Sequence, residues 1–264
     1  MTNLIYAPLQ TREVFHLEFL RWFSRKVTAD DYVLKGGVNL RLFFKSIRYS
    51  EDLDIDIQRV RIERVKKTVL EILSARGFLD SLKSFGIEKV VLPDMRKAKQ
   101  TETTQRLKIH LLTFGGEDLF TKIELSRRGI KGAGVVEPVS SQILRSYKMA
   151  PLLVSHYDVS SAIQQKIQAL AQRTVLQARD IFDLFVISSH FENAQEHHPA
   201  GEAGKAILKI AYDNIFLVEF AQFRDTVVAY LGVDDQKTYS SSQAWDEIKL
   251  KTANFLDELK NDKT

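Results

Sequence analysis

The residues best suited to chemistry lie in one run, Asp52-Leu53-Asp54-Ile55-Asp56-Ile57. If the run is extended, Asp52, Asp54 and Asp56 share one face, and Leu53, Ile55 and Ile57 share the other and can enter a core. Three carboxylates on one face repel one another, so a cation or a basic cluster is needed to compensate them. Hard divalent cations take oxygen ligands, and Mg2+ commonly uses one or two carboxylates together with substrate phosphates. Upstream, Gly36-Gly37 lets backbone N–H groups approach phosphates, and a helix starting near Val38 would aim its positive end at them. Phosphoryl or nucleotidyl transfer is the chemistry such a set supports. Each part has a plain alternative: an acidic alternating strand can be a solvated edge, and Gly-Gly a simple turn. Their order and separation favour the site.

Two further groups carry charge in a pattern. In Thr121–Ser126, Lys122, Glu124 and Ser126 fall on one face of a strand, with Ile123 and Leu125 on the other. A surface Lys–Glu alternation would read the same way. Downstream, Lys166 and Arg173 are seven residues apart and share a helical face. Asp180 and Asp183 open the next helix, where its dipole favours negative charge. On spacing alone, Asp180 reads more readily as a helix-terminal residue ion-paired with Arg173 or Arg179 than as a site residue.

The elements that must position these groups follow from periodicity. Glu13–Lys26 reads as an amphipathic helix with Phe15, Phe19, Trp22 and Phe23 at helical spacing. A short apolar run, Tyr32–Leu34, precedes the Gly-Gly turn, and Val38–Phe44 reads as helical. Leu53–Ile57 reads as a strand, and Ile62–Ala75 as a helix closed by Gly77. Glu88–Leu92, Arg106–Leu112 and Thr121–Leu125 read as strands, with loops at Pro93–Thr104 and Gly129–Gly134. After about residue 140 the texture turns helical: Asp158–Arg173, Ala178–His190, Glu202–Ala211, Ile215–Leu231 and Ala244–Leu259, with linkers at His197–Gly201 and Asp234–Ser242. The expected organisation is an α/β (α+β) lobe over residues 1–140 and a helical lobe over residues 141–264.

The pattern Lys35-Gly36-Gly37, then Arg48-x-Ser50-Glu51-Asp52-x-Asp54, closely resembles the signature of the AbiEii/MenT-type nucleotidyltransferase toxins. These are a branch of the DNA polymerase beta-type nucleotidyltransferase superfamily. The helical stretch resembles the same family, which carries a Lys motif on one helix and Arg-Asp-x-x-Asp on the next. Lys166, Asp180 and Asp183 match in order and spacing, so the resemblance runs discontinuously from about Tyr32 to Leu184. It departs at Val38, where the family commonly has Thr, and at Gln165, where an acid commonly precedes the Lys.

The resemblance implies a nucleotidyltransferase-type mixed sheet with flanking helices, followed by an all-helical C-terminal lobe. It implies transfer of NMP from an NTP to an acceptor hydroxyl, dependent on Mg2+ (or Mn2+). Asp52 and Asp54 become the metal pair and Asp56 a supporting acid. Glu124 is the best candidate for the third carboxylate that superfamily members take from a neighbouring strand. Lys166 would contact the nucleotide phosphates and Asp180 would support catalysis. Lys35, Gly36, Gly37, Arg48, Ser50, Lys122 and Asp183 are the nucleotide-binding candidates. The implied role is a toxin with a cognate antitoxin protein as partner, and the implied acceptor is RNA, namely the 3′ end of a tRNA.

Composition bounds these readings. The chain of 264 residues carries a net charge of +4 and a pI near 9.1, a mild basic bias compatible with nucleotide or nucleic-acid partners. The bias concentrates in Arg96, Lys97, Lys99, Arg106 and Lys108, followed by Arg127-Arg128. The absence of cysteine excludes disulfides, thiolate metal sites and cysteine nucleophiles. The N-terminus reads as having no signal peptide, and no apolar run reaches the roughly 20 residues that cross a bilayer. The expectation is therefore a cytoplasmic protein without a membrane partner. His197-His198, on a Pro-flanked stretch, reads as solvent-exposed. The rival readings are a transferase acting on a small molecule or a protein hydroxyl, and a non-catalytic nucleotide- or nucleic-acid-binding protein.

Overall fold

The computed structural model describes residues 6–92, 101, 103–191 and 202–261. The chain divides into two compact units. The first holds the residues up to Phe43 and Tyr49–Tyr157. The second holds Phe44–Arg48 and the chain from Asp158 onward. The first unit thus runs past residue 140 to Tyr157, and the short excursion Phe44–Arg48 counts with the helices.

The first unit is built on a mixed sheet of seven strands: β1 (Tyr32–Lys35), β2 (Asp52–Ile57), β3 (Ile87–Val91), β4 (Thr104–Thr113), β5 (Asp118–Ser126), β6 (Gly134–Pro138) and β7 (Leu153–Tyr157). Their order is β3-β4-β5-β2-β1-β7-β6. The pairs β2–β5 and β1–β7 are parallel and the others antiparallel. Helices α1 (Pro8–Phe23), α2 (Gly36–Phe43), α3 (Ile62–Ser74), α4 (Arg76–Lys83) and α5 (Ser141–Ser146) complete this unit.

The period-two pattern of the strands makes one sheet face apolar. Leu53, Ile55 and Ile57 from β2, Leu107, Ile109 and Leu111 from β4, and Ile123 and Leu125 from β5 are buried in one core with Phe15, Phe19 and Phe23 of α1. Each such side chain contributes roughly 1.5–3 kcal/mol of burial. Along α1, Phe15 stacks on Phe19 and Phe19 on Phe23, with centroids 6.4 and 5.5 Å apart. The same alternation sends Asp52, Asp54, Lys122 and Glu124 to the opposite face.

Some expectations need correction. Gly77 does not end α3: the helix stops at Ser74 and Gly77 lies inside α4. Its missing side chain is explained by packing, since a Cβ there would lie 3.2 Å from the Trp22 ring. The stretch after residue 140 is not helical throughout, because β7 lies within it. Its last four residues are buried, and a strand covered on both faces loses the alternation that marks half-buried ones. Gly134 opens β6 rather than closing a loop.

From Asp158 onward the described residues form helices and their connections: α6 (Val159–Gln172), α7 (Ala178–Ser188), α8 (Glu202–Ile215), α9 (Phe220–Thr226), α10 (Val233–Tyr239) and α11 (Ser242–Asn261). Asp158 caps α6 by accepting from the Ser161 amide at 2.8 Å. The expected single helix Ile215–Leu231 is broken into the end of α8, α9 and a 3-10 turn at Val228–Tyr230, and the expected linker Asp234–Ser242 contains α10. The core here includes Phe182, Phe223 and Trp245, the last two stacked at 4.3 Å. Among the described residues no helix is long and apolar enough to cross a membrane. Arg96, Lys97, Lys99, His197 and His198, and with them most of the expected Pro93–Thr104 loop and the whole His197–Gly201 linker, lie outside the described residues.

Candidate active site

The turn from β1 into α2 brings backbone against a carboxylate. Gly36 has φ +72°, and a Cβ built on it would lie 2.7 Å from Oδ2 of Asp54. A left-handed φ and this close approach both call for glycine. Gly37 follows as the second residue of α2.

Strand register then assembles the charges. Arg106, Glu124, Asp54 and Lys35 occupy one row across β4, β5, β2 and β1, and Lys108, Lys122 and Asp52 occupy the next. Lys122 Nζ is 2.7 Å from Asp52 Oδ2, and Arg106 Nε donates to Glu124 Oε2 at 2.7 Å. Lys35 Nζ turns instead to Asp56 Oδ1 at 2.5 Å, and Tyr157 donates its hydroxyl to Asp56 Oδ2 at 2.8 Å. Both oxygens of buried Asp56 are thus engaged inside the fold, which suits the supporting part implied for it. Tyr157 carries no motif in the sequence, and the strand that delivers it is the one the periodicity hides.

Asp54 differs from its neighbours. Among the described residues its carboxylate has no hydrogen bond or ion pair. Burial first, then the nearby charges of Glu124 and Asp52, push its carboxyl up to about 6, while Lys35 and Lys122 oppose the shift. Ser50 donates its hydroxyl to the Asp52 carbonyl at 3.0 Å.

A buried relay fixes the start of β2. His16 of α1 lies 2.9 Å from the Thr121 hydroxyl, and that hydroxyl donates to the Glu51 carbonyl at 2.6 Å. The single hydroxyl proton is thereby committed, so His16 donates from Nε2 and is neutral. Burial and then the Arg12 charge hold His16 down at about 3. Arg12 also donates to the Phe120 carbonyl at 2.7 Å and pairs with Glu51 at 3.3 Å.

The remaining sequence candidates meet in the second unit. Arg48 grips Asp183 in a fork, with Nη2 at 2.9 and 3.0 Å from the two oxygens and Nε at 3.1 Å from Oδ1. Lys166 Nζ lies 2.6 Å from Asp183 Oδ2 and 3.0 Å from Asp180 Oδ1, and Arg173 Nε lies 3.0 Å from Asp180 Oδ2. Arg173 is therefore the ion-pair partner of Asp180 that the spacing allowed. Asp180 and Asp183 are fully buried. Burial would raise the Asp183 carboxyl, but Arg48 and Lys166 hold it below the usual range. Burial would lower Lys166, but Asp183 and Asp180 hold it above. Three cations face two carboxylates, leaving one positive charge in excess.

The residues that would hold a divalent cation are the carboxylate pair Asp52 and Asp54. Among the described residues, no group of three or more His, Cys, Asp or Glu side chains converges as a metal cage. An unpartnered, desolvated carboxylate beside a second one fits Mg2+, which takes few protein ligands and completes its shell with water and phosphate.

The sequence profile of the nucleotidyl transferase AbiEii toxin family, of type IV toxin–antitoxin systems, matches residues 18–249. The chain belongs to this family. The AbiEii match spans both units and all the residues of the candidate site except His16 and Arg12. No curated protein sequence matches the chain. Its fold is similar to that of MenT4, a nucleotidyltransferase toxin from Mycobacterium tuberculosis (TM-score 0.63, 16% identity, 96% of this chain and 86% of that one). It is also similar to JHP933 from Helicobacter pylori (TM-score 0.60, 18% identity, 97% and 94%) and to a nucleotidyltransferase-like protein of the same organism (0.55, 19%, 96% and 93%). The expected AbiEii/MenT-type fold, a mixed sheet with flanking helices followed by a helical part, is what the chain has.

Proposed function

We propose that this AbiEii-family chain transfers a nucleoside monophosphate from an NTP to an acceptor hydroxyl on RNA, at the 3′ end of a tRNA, with Mg2+ as cofactor. The observation that carries the reading is Asp54: a carboxylate raised to about 6, without a partner, facing Asp52 and Glu124 beside a glycine turn. A divalent cation held by Asp52 and Asp54 would neutralise the triphosphate and lower the pKa of the attacking hydroxyl.

The side chains supply the rest. The Gly36-Gly37 backbone receives the phosphates, and Lys35, steadied by Asp56, offers them a fixed positive charge. Lys122 and Ser50 orient them. The acceptor oxygen attacks the α-phosphorus, its proton passes to Glu124, and the bond to the leaving pyrophosphate breaks. Membership in a toxin family supports a cognate antitoxin that restrains this activity, and a cytoplasmic location, where NTP and tRNA are found.

The test is incubation with each labelled NTP, Mg2+ and total RNA, with the Asp52→Ala/Asp54→Ala variant alongside. Label should enter RNA in the wild type alone. Label in a protein or small molecule instead would reassign the acceptor. No label under any NTP would refute the transferase reading, and equal labelling by the variant would refute the site.

A further inference from the structure

One large aromatic stands where the sheet should be polar. Phe120 alternates with Lys122 and Glu124 on the face of β5 opposite the core, and it is only half-buried. Its neighbours are charged: Lys108 Nζ lies 5.9 Å from the ring centroid, and His110 meets the ring edge-on at 5.7 Å. No core residue calls for a phenyl ring here, so water contact with it is an uncompensated cost.

The surroundings select an occupant. Lys108 is exposed and has no acidic partner among the described residues, and Lys89, on the adjoining β3, is likewise exposed and unpaired. Of the acids on this face, Glu124 pairs with Arg106 and Asp52 with Lys122, Asp118 lies 2.9 Å from His110 Nδ1, and Asp54 belongs to the proposed cation site. Lys108 is thus an exposed cation set beside a half-buried ring. An aromatic interleaved with cations on an open strand surface suits single-stranded nucleic acid, whose bases stack and whose phosphates pair with lysine. An acidic peptide would use the lysines but not the ring.

Register gives the distance. Phe120 is one strand across and two residues along from Asp52, so their backbones are roughly 8 Å apart, a separation on the scale of one nucleotide. We infer that the Lys108–Phe120 surface receives the 3′-terminal segment of a single-stranded RNA acceptor, with one base stacked on Phe120 and a neighbouring phosphate on Lys108. This rests on the nucleotidyl-transfer reading and adds the residues that seat the acceptor. Phe120 accepts any base, so the contact sets orientation rather than sequence.

The experiment measures binding apart from chemistry. A fluorescein-labelled, mixed-sequence 12-mer RNA with a free 3′ hydroxyl is titrated by anisotropy with the full chain, without NTP, across a salt series. Phe120→Leu should weaken binding roughly tenfold with the salt slope unchanged. Lys108→Ala should lower the slope by about 0.7. Lys67→Ala, a distant exposed lysine, should change neither, and matching thermal melts show the variants folded. In the transfer reaction Phe120→Leu should raise KM for the RNA and leave KM for the NTP alone. Wild-type affinity and slope in both variants would overturn the inference, even if labelling of RNA stands. Loss of binding in the variants without any labelling by the wild type would keep the surface and refute the transfer. Binding of a poly-glutamate peptide in place of the RNA, lost in Lys108→Ala, would reassign the surface to a protein and overturn the inference.

Discussion

Gly36 has no side chain where Asp54 needs space: a Cβ at this position would sit 2.7 Å from the Asp54 Oδ2. The glycine turn and the acidic strand, separate motifs in the sequence, are thus one steric unit. The turn's conformation decides where the carboxylate points, and the carboxylate decides what the turn can hold.

Replacing Gly36 by Ala should therefore damage both. The left-handed φ costs an L-residue about 1–2 kcal/mol, and the methyl group must also push Asp54 aside. Urea unfolding should show a loss of at least that size, and transfer activity should fall further than stability does. Full activity in Gly36→Ala would mean that the turn does not constrain Asp54.

Asp54 should cost the metal-free protein stability. Its carboxyl ordinarily titrates at 3.8 and is raised to about 6 in the fold, so the native state holds its proton more tightly than the unfolded chain. Stability is then lost as pH rises from about 4 through 6, by about 3 kcal/mol. Asp54→Asn should be more stable than wild type at pH 8 in EDTA, and the gain should shrink toward zero at pH 4. Adding MgCl2 at pH 8 should raise the melting temperature of the wild type and not of the variant. Equal stability of the two proteins at pH 8 in EDTA would contradict the assigned environment.

The sequence carried the chemistry of the first unit well, because period-two alternation both buries Ile55 and turns Asp54 to the opposite face. It carried the partners less well. Arg106 was legible as a basic residue, but its pairing with Glu124 depends on the register of β4 against β5, which alternation leaves open. Tyr157 was illegible, because β7, Leu-Val-Ser-His-Tyr, is covered on both faces and shows no period-two alternation. The Asp180–Arg173 pair was visible as one of two choices, since helical spacing limits the partners. The fork between Arg48 and Asp183 was not visible, because nothing local links residues 135 positions apart.

The Arg48–Asp183 fork should be a stability element that lysine cannot replace. Both side chains are buried, and the guanidinium satisfies both carboxylate oxygens at once. Arg48→Lys keeps the charge and loses the fork, at a cost of roughly 2 kcal/mol. Arg48→Ala leaves Asp183 to Lys166 alone and should cost about 3–5 kcal/mol. Chemical denaturation of the two variants would give this ranking; equal stability of Arg48→Lys and wild type would show that charge alone suffices.

His16 should govern the acid limb of stability. Its folded pKa is lowered from 6.5 to about 3, so between these values the unfolded chain binds a proton that the native state refuses. Stability is therefore fully present above about pH 6.5 and is lost as pH falls toward 3, by about 5 kcal/mol in total. Asp54 acts in the opposite direction between about 4 and 6, so the observed slope is the difference of the two. His16→Gln offers an amide N–H where Nε2 donates to Thr121, and it cannot be protonated. The variant should match wild type to within about 1 kcal/mol at pH 8 and surpass it at pH 4.5, with a shallower acid limb. An unchanged acid limb in His16→Gln would show that His16 is not held neutral by the fold.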